Sequence, residues 1–302
     1  TALIYNPVSY PLMYLCMLMI LAGFGFKIAM VPFHQWSPDT YEGAPTPITA
    51  FLSVGSKAAG FAVLVRFLST SIIPQIFDWT PLIIVFAGVT MTVGNLVAIP
   101  QTNIKRMFAY SSIAQAGYLL LGVAALGVAT FPGARTIAVQ SILLYIFVYL
   151  FMNLGAFAII TMVGAKLGSD DLKDYAGLVK SAPWAAAAML FFLLSLAGIP
   201  PAAGFLGKFY LFYAAIKVAQ QAHSNALLWL AIVAIANTVV SVYYYFNVVR
   251  VMFFGKTENS EHMATPELTK LVVGFTLVMT ILVLILAPVF MRFTEAMATM
   301  LR

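Results

Sequence analysis

Three lysines, Lys27, Lys57 and Lys208, stand inside long apolar runs rather than between them. Insertion scales put a lysine at the centre of a bilayer helix at roughly +2.5 to +3.5 kcal/mol, so such residues face a bundle interior and mark ion or proton pathways. Lys57 is the deepest, at the middle of its run. Removal from water disfavours an ammonium, which lets a buried lysine release and regain a proton near neutral pH as a surface lysine does not. The competing reading is structural: an ammonium that holds backbone carbonyls freed where a helix breaks. Lys27 and Lys208 lie beside such breaks, and three intramembrane lysines together favour proton exchange. His34, just past Pro32, is a further candidate: its imidazole would pass protons between Lys27 and the cytoplasm, or hydrogen-bond its own loop.

Polar side chains supply a medium between the lysines. Ser111, Gln115 and Tyr118 are four and three residues apart and share a helical face, flanked by Ser112. Asn237, Ser241 and Tyr244 form a second stripe, and Ser53 lies one turn before Lys57. Such residues either seat water or act as interhelical glue; the first stripe reads as water-lining and the second as glue. A relay lysine also needs an anion or water to take the proton, yet the 10 acidic residues all fall in connections or at segment edges. The anion is then expected from a neighbouring subunit or from chain upstream of Thr1. The chain enters an apolar run soon after Thr1 with no initiator methionine, the pattern expected of the later part of a longer protein. His223 and His262 lie in connections, and Trp36 and Tyr41 have the character of interfacial anchors. Cys16, the 1 cysteine, reads as a small buried hydrophobe and allows neither a disulfide nor an iron–sulfur or zinc site.

Membrane helices must position these residues. Of the 302 residues 62% are hydrophobic and 9% charged, and the mean hydropathy is +0.97; a soluble domain carries about 25% charged residues. A soluble enzyme, a nucleic-acid binder and a disulfide scaffold are excluded, and the net charge of +6 becomes a topology signal. Apolar runs long enough to span occur at 8–31, 45–69, 80–100, 104–128, 135–164, 183–216, 224–254 and 267–290. They do not alternate polar with apolar, so an all-α polytopic bundle forming a single transmembrane domain is expected. The largest polar inserts are Lys166 to Lys180 and Gly255 to Pro266, the second holding Lys256, Glu258, Glu261 and His262. Lys105, Arg106, Lys166, Lys173, Lys180, Arg250, Lys256 and Lys270 fall on one side; Arg66, Arg135, Lys217, Arg292 and Arg302 fall on the other. The first group is expected in the cytoplasm, with both chain ends outward.

Two of the runs contain breaks. The first leads into Val31-Pro32-Phe33-His34-Gln35-Trp36-Ser37-Pro38, and the sixth is interrupted at Gly198-Ile199-Pro200-Pro201. Proline removes an amide donor and clashes with the preceding turn. Broken backbone at membrane depth survives only where protein or a water-filled cavity satisfies it, and a pair of such segments points to an inverted-repeat transporter.

At these breaks the sequence resembles one family. The stretch from Gly25 to Pro47, with Ser56-Lys57-Ala58-Ala59, Lys105-Arg106-Met107-Phe108-Ala109-Tyr110-Ser111-Ser112-Ile113, Leu196-Ala197-Gly198-Ile199-Pro200-Pro201 and Gly204-Phe205-Leu206-Gly207-Lys208-Phe209-Tyr210, is similar to the antiporter-like subunit 2 family of respiratory complex I, called the N subunit in bacteria and the B subunit in photosynthetic relatives. The resemblance runs from about residue 20 to residue 250; the last helix is generic. It implies a fourteen-helix subunit with two inverted five-helix repeats, of which this chain would be the last eight helices. It further implies that Lys27, Lys57 and Lys208 are the family's proton-path lysines, with a glutamate upstream of Thr1 and quinone reduction elsewhere in the complex as driver. Many bacterial relatives carry histidine where this chain has Gln115, which cannot titrate, so the link between Lys57 and Lys208 would run through water or tyrosine. NADH or ferredoxin, flavin, iron–sulfur clusters and quinone would belong to partner subunits, among them neighbouring antiporter-like subunits, in a bacterial plasma membrane or a thylakoid. A multi-subunit cation/proton antiporter subunit would share fold and lysine pattern.

Overall fold

The computed structural model describes residues 10–70, 77–256 and 263–300. Those residues form eleven helices of eight residues or more, α1 (Tyr10–Ile28), α2 (Trp36–Gly43), α3 (Thr46–Thr70), α4 (Thr80–Ala98), α5 (Ile104–Val128), α6 (Pro132–Leu167), α7 (Pro183–Ala197), α8 (Ala203–Gln221), α9 (Asn225–Phe254), α10 (Glu267–Ile285) and α11 (Ala287–Met300), with single helical turns at Leu172–Tyr175 and Leu178–Ser181 between α6 and α7. Seven of them are long and apolar enough to cross a membrane, and α7 is a shorter apolar helix. No strand occurs among the described residues; Asn103 and Asp171 make an isolated antiparallel bridge. Glu258, Glu261, His262 and Arg302 lie outside the described residues.

Helix α5 is the axis of the bundle. It is enclosed on nearly every face, with 89% of its spanning window buried, so its polar residues Ser111, Ser112 and Gln115 lie inside the bundle. Helices α2, α4, α6, α8 and α9 pack round it. The α4–α5 crossing is close because both helices present glycine: a Cβ on Gly94 would lie 2.5 Å from the Ala114 backbone nitrogen, and one on Gly117 would lie 2.5 Å from that of Met91. Small residues that let backbones approach are how helices associate when lipid removes the hydrophobic drive between them. Trp229, Val239, Tyr243, Phe275 and Val278 point outward from α9 and α10 and are exposed, as a lipid-facing surface requires.

The first break arrives earlier than the apolar run implies. Helix α1 stops at Ile28, where Met30 N–H donates to the Gly25 carbonyl at 2.7 Å and Ala29 takes the left-handed conformation with φ 58°. That is the Schellman arrangement, with alanine where glycine is usual. The chain then turns into α2, a short helix within what reads in sequence as a single break. Helix α3 contains a π-turn, Leu52–Ser56, which the sequence does not signal. The last apolar run stops at Ile285 and restarts as α11, because Pro288 has no amide to continue α10 but fits the first turn of a new helix.

The α4–α5 contact yields a stability test. Gly94→Val should lower the thermal midpoint of the detergent-purified protein, since overpacking costs typically about 1–3 kcal/mol and here the obstacle is backbone. Gly88→Ala on the same helix, whose Cβ would meet Leu230 at an ordinary 3.5 Å, should leave the midpoint unchanged or slightly raised.

Candidate functional site: two buried lysines and the polar line between them

The second break generates the first lysine site. In an unbroken helix the carbonyls of Leu196 and Ala197 would accept from the amides of residues 200 and 201, and both are prolines. The preceding carbonyls are cared for: Gly198, at φ 82°, donates to Leu194 and Ser195 at 3.1 and 3.0 Å. Leu196 and Ala197 are left to Lys208, whose Nζ donates to them at 3.0 and 3.4 Å. Lys208 is 2% exposed, and the Tyr118 ring faces its Nζ with the centroid 4.7 Å away, a cation–π geometry. Ser195 Oγ accepts from Gly204 N–H at 3.0 Å, capping the start of α8. Gly204 must be glycine, because a Cβ there would fall 1.7 Å from the Ser195 carbonyl.

The second lysine site is built by the π-turn. Leu52–Ser56 widens α3 immediately before Lys57, as single π-turns do at functional positions. Ser53 Oγ donates to Ala50 O at 2.7 Å and accepts from Asn153 Nδ2 at 2.6 Å, tying this turn to α6. Lys57, 3% exposed, reaches α5, where Nζ donates to both the carbonyl and the Oγ of Ser112 at 2.5 Å. Around Ser112 Oγ stand the hydroxyls of Tyr149 at 3.2 Å and Tyr41 at 3.4 Å. None of the ion pairs among the described residues involves Lys57 or Lys208.

Gln115 lies between the two sites. Its Nε2 donates to the Leu196 carbonyl, the same acceptor Lys208 uses, at 3.4 Å and to Tyr245 OH at 3.3 Å. Tyr145 OH donates to its Oε1, and Ser111 Oγ pairs with Tyr245 OH. Tyr145 stacks on Tyr149 with ring centroids 6.4 Å apart. Hydrogen bonds therefore run from Lys208 through Leu196 O and Gln115 to Tyr245 and Ser111, and from Lys57 to the adjacent Ser112 and on to Tyr149. One peptide of α5 separates the two runs. Tyr145, Tyr149, Tyr245 and Asn153 are missing from the sequence reading, although Tyr145, Tyr149 and Asn153 recur every four residues on one face of α6 and Tyr245 follows Ser241 by four, a spacing that could have found them.

The remaining sequence candidates fall elsewhere. Lys27 does not join the line: it is exposed on this chain, in an apolar groove of about 400 Å³ lined by Ile20, Gly23, Phe24, Ala59, Gly60 and Val63. Its stem lies against Gly60, where a Cβ would meet Lys27 Cγ at 3.2 Å. Cys16 is exposed as well, not buried, because neighbouring residues of α1 such as Leu15 and Met19 are uncovered too. Tyr41 is no interfacial anchor; it is 1% exposed and points at Ser112. Trp36 Nε1 donates to Phe26 O at 2.8 Å, holding the turn. His34 is half-buried in that turn; burial holds its pKa below the ordinary value, with the Pro32 backbone pulling the other way. The second stripe is glue: Asn95 on α4 donates to Tyr118 OH at 3.1 Å and to Asn237 Oδ1 at 3.2 Å, and accepts from Tyr244 OH at 3.0 Å.

A family model described as NADH:quinone oxidoreductase/Mrp antiporter, TM, matches residues 2–236. The chain is similar to a curated "NADH-quinone oxidoreductase subunit N" of Desulforamulus reducens, with 47% identity over 274 residues, 91% of this chain and 54% of that protein. The chain thus spans about half the length of the curated relatives it matches. Among solved structures it is similar to a chain of respiratory complex I from Thermus thermophilus, with TM-score 0.76 and 31% identity over 95% of this chain and 60% of that one. A chain of the Mrp complex from Dietzia sp. shares the fold, with TM-score 0.83 at 20% identity over 95% of this chain and 59% of that one.

Ser112 is the hub of the Lys57 site, and its hydroxyl is the group to remove. Ser112→Ala leaves Lys57 a backbone carbonyl and strips two buried tyrosines of their partner, so stability should fall by roughly 1–3 kcal/mol. Thermal or denaturant unfolding of the purified protein measures this; an unchanged midpoint would mean that the hydroxyl does not hold the site.

Proposed function

The chain belongs to the NADH:quinone oxidoreductase/Mrp antiporter transmembrane family, and from that premise we propose that it forms the lysine-bearing part of a proton-translocating membrane subunit of an NADH (or ferredoxin):quinone oxidoreductase. The observation that carries this reading is the pairing of two buried lysines, neither in an ion pair among the described residues, on two hydrogen-bonded runs that only one peptide of α5 separates. An ammonium held by neutral acceptors can lose its proton without breaking an ion pair. Lys57 and Lys208 are proposed as the exchanging groups, and Lys27 as a third whose anionic partner belongs to another subunit or another part of the protein. Driven by quinone reduction in partner subunits, a proton leaving Lys57 passes to Ser112 and its tyrosines, is carried by water across the peptide between Ser112 and Ser111, and reaches Lys208 through the groups round Gln115. Each hydroxyl gives up one proton as it accepts another and ends neutral.

On this reading the redox groups fall to partner subunits, and the one cysteine of this chain does not supply the ligand set of an iron–sulfur cluster. The partners are other membrane subunits, including neighbouring antiporter-like ones, and the setting is an energy-transducing membrane, bacterial plasma membrane or thylakoid. A subunit of a multi-subunit cation/proton antiporter is the second reading, supported by the fold shared with the Mrp chain. Relatives at 47% identity named for NADH–quinone oxidoreductase weigh toward the first, and copurification of redox subunits with the full protein decides between them.

Lys208 tests the mechanism. Lys208→Ala, which bares the Leu196 and Ala197 carbonyls and should lower stability, should cut proton-coupled quinone reduction per assembled complex by roughly a hundredfold or more, the scale on which a positioned proton-transfer group contributes. Lys208→Arg should fail nearly as badly, because arginine keeps the charge but does not release its proton. Quinone reduction and vesicle acidification by the arginine variant at the unmodified rates would make Lys208 an electrostatic fixture and refute its role as a relay.

A further inference from the structure

Lys208 Nζ has one side that the polar line does not use. An ammonium carries three N–H donors, and Lys208 directs two of them to the Leu196 and Ala197 carbonyls. It makes no other hydrogen bond among the described residues. In place of a third acceptor, Nζ has the face of the Tyr118 ring, with the centroid 4.7 Å away. Lysine and tyrosine are both fully buried, so bulk solvent does not screen the contact.

The Tyr118 hydroxyl serves a different partner. Asn95 Nδ2, on α4, donates to it at 3.1 Å; the same side chain donates to Asn237 Oδ1 at 3.2 Å and accepts from Tyr244 OH at 3.0 Å. Asn95 is wholly buried and committed at both ends, so it anchors the phenol by its oxygen and leaves the ring to the lysine. Lys217 and Tyr213, on an exposed stretch of α8, show the alternative. There Nζ lies 5.4 Å from the ring centroid and donates to the hydroxyl at 3.2 Å. At Lys208 only the ring face is offered.

A ring face discriminates between the two forms of an amine. It is the negative part of the aromatic quadrupole, and it attracts a cation more strongly once both are desolvated. A neutral amine has two N–H groups, which the two carbonyls take, and its lone pair is then left toward the negative face. The other groups round this site add no charge. Tyr145 of α6 lies against Gly207, where a Cβ would meet its ring at 2.7 Å, and Tyr244 and Tyr245 come from α9. Helix α7 brings carbonyls, and the charged residues of α10, Glu267 and Lys270, pair with each other at 2.7 Å at its exposed start.

We propose that the Tyr118 ring takes the place of a counter-ion for Lys208: it stabilises the ammonium against the neutral amine and so sets how firmly Lys208 holds its proton, while the Tyr118 hydroxyl carries no proton along the line. The spacing of Ser111, Gln115 and Tyr118 groups that hydroxyl with water-lining residues; the structure gives it to α4 instead. The inference rests on the proposed proton exchange at Lys208, and the test separates the two.

The full-length protein is used within its assembled membrane complex, and quinone reduction and vesicle acidification are followed against pH per assembled complex. Tyr118→Leu removes the ring. It should displace the pH profile toward acid by about one unit, the scale of a desolvated cation–π contact, and cut turnover at neutral pH on the order of tenfold. Tyr118→Phe keeps the ring face and should recover most of both losses, with a lower thermal midpoint because Asn95 loses a partner. Phenylalanine bearing one, two or three ring fluorines at the same position nearly keeps the shape while draining the face of charge, so the profile should step toward that of Tyr118→Leu. This series decides even where Tyr118→Leu does not assemble. A flat series overturns the proposal. So does Tyr118→Phe failing as badly as Tyr118→Leu, since the hydroxyl is then the working part. If every Tyr118 variant keeps the unmodified profile while Lys208→Ala fails, the ring contact falls and the Lys208 reading stands. If Lys208→Ala also turns over normally, the proposed function falls and the role of the ring with it.

Discussion

The site depends on a mutual debt between Lys208 and the break before it. Pro200 and Pro201 remove the two amides that would have satisfied Leu196 and Ala197, and a carbonyl left bare at membrane depth costs several kcal/mol. A lysine buried without acceptors is as costly. Placed together, with Nζ at 3.0 and 3.4 Å from the two oxygens, each offsets the other. The arrangement dictates its surroundings: Gly198 takes a left-handed conformation beside the lysine stem, and Gly204 admits the Ser195 carbonyl.

Lys57 meets the same problem by other means. Its helix does not break but widens through a π-turn, and its acceptors come from α5, the enclosed helix at the centre of the bundle. Both lysines thus rest on neutral oxygens contributed by neighbouring helices, and among the described residues neither meets a carboxylate that would hold its proton. Contrast Lys105, equally buried at 5% exposure but paired with Asp170 at 2.9 Å. That lysine fastens the end of α5 to the polar connection after α6, a structural task that a persistent charge performs well. The difference in partners, with burial held constant, separates a fastening lysine from the lysines proposed to exchange protons.

Much of this is legible in the sequence, and the illegible parts share a cause. Hydropathy marks the apolar runs, seven of which hold helices long enough to span, prolines mark the breaks, and the cost of a charge in lipid singles out Lys57 and Lys208 together with Lys27. Burial within a bundle is not readable in the same way, because it depends on which face of a helix finds a neighbour. Cys16 and Lys27 lie on the α1 face left uncovered here, so both read as buried and are exposed. Tyr41 shows the converse: an aromatic beside a break looks interfacial until α2 is seen to fold back over α5. The spacing of the tyrosines of α6 and α9 marks a shared face but not where each hydroxyl ends, and the π-turn is missed because nothing in Leu52–Ser56 distinguishes it from ordinary helix.

Gln115 shows why the hidden tyrosines matter. An amide both donates and accepts, but it does not titrate in the physiological range, so on the proposed reading it cannot store a proton between Lys57 and Lys208. It can hold others in place. Its Oε1 takes the Tyr145 hydroxyl, and its Nε2 is shared between Tyr245 OH and the Leu196 carbonyl that Lys208 also uses. A side chain committed on both ends fixes the two hydroxyls, and it shares one acceptor with the Lys208 ammonium, since a carbonyl oxygen has two lone pairs. When Lys208 is protonated, its hydrogen bond to Leu196 is the stronger of the two, since charge-assisted bonds exceed neutral ones. On the proposed reading, loss of that proton removes the advantage and strengthens the Gln115 share of the carbonyl. The hold on Tyr145 and Tyr245 is then tied to the charge on Lys208, which gives a residue that carries no proton a part in the proposed path.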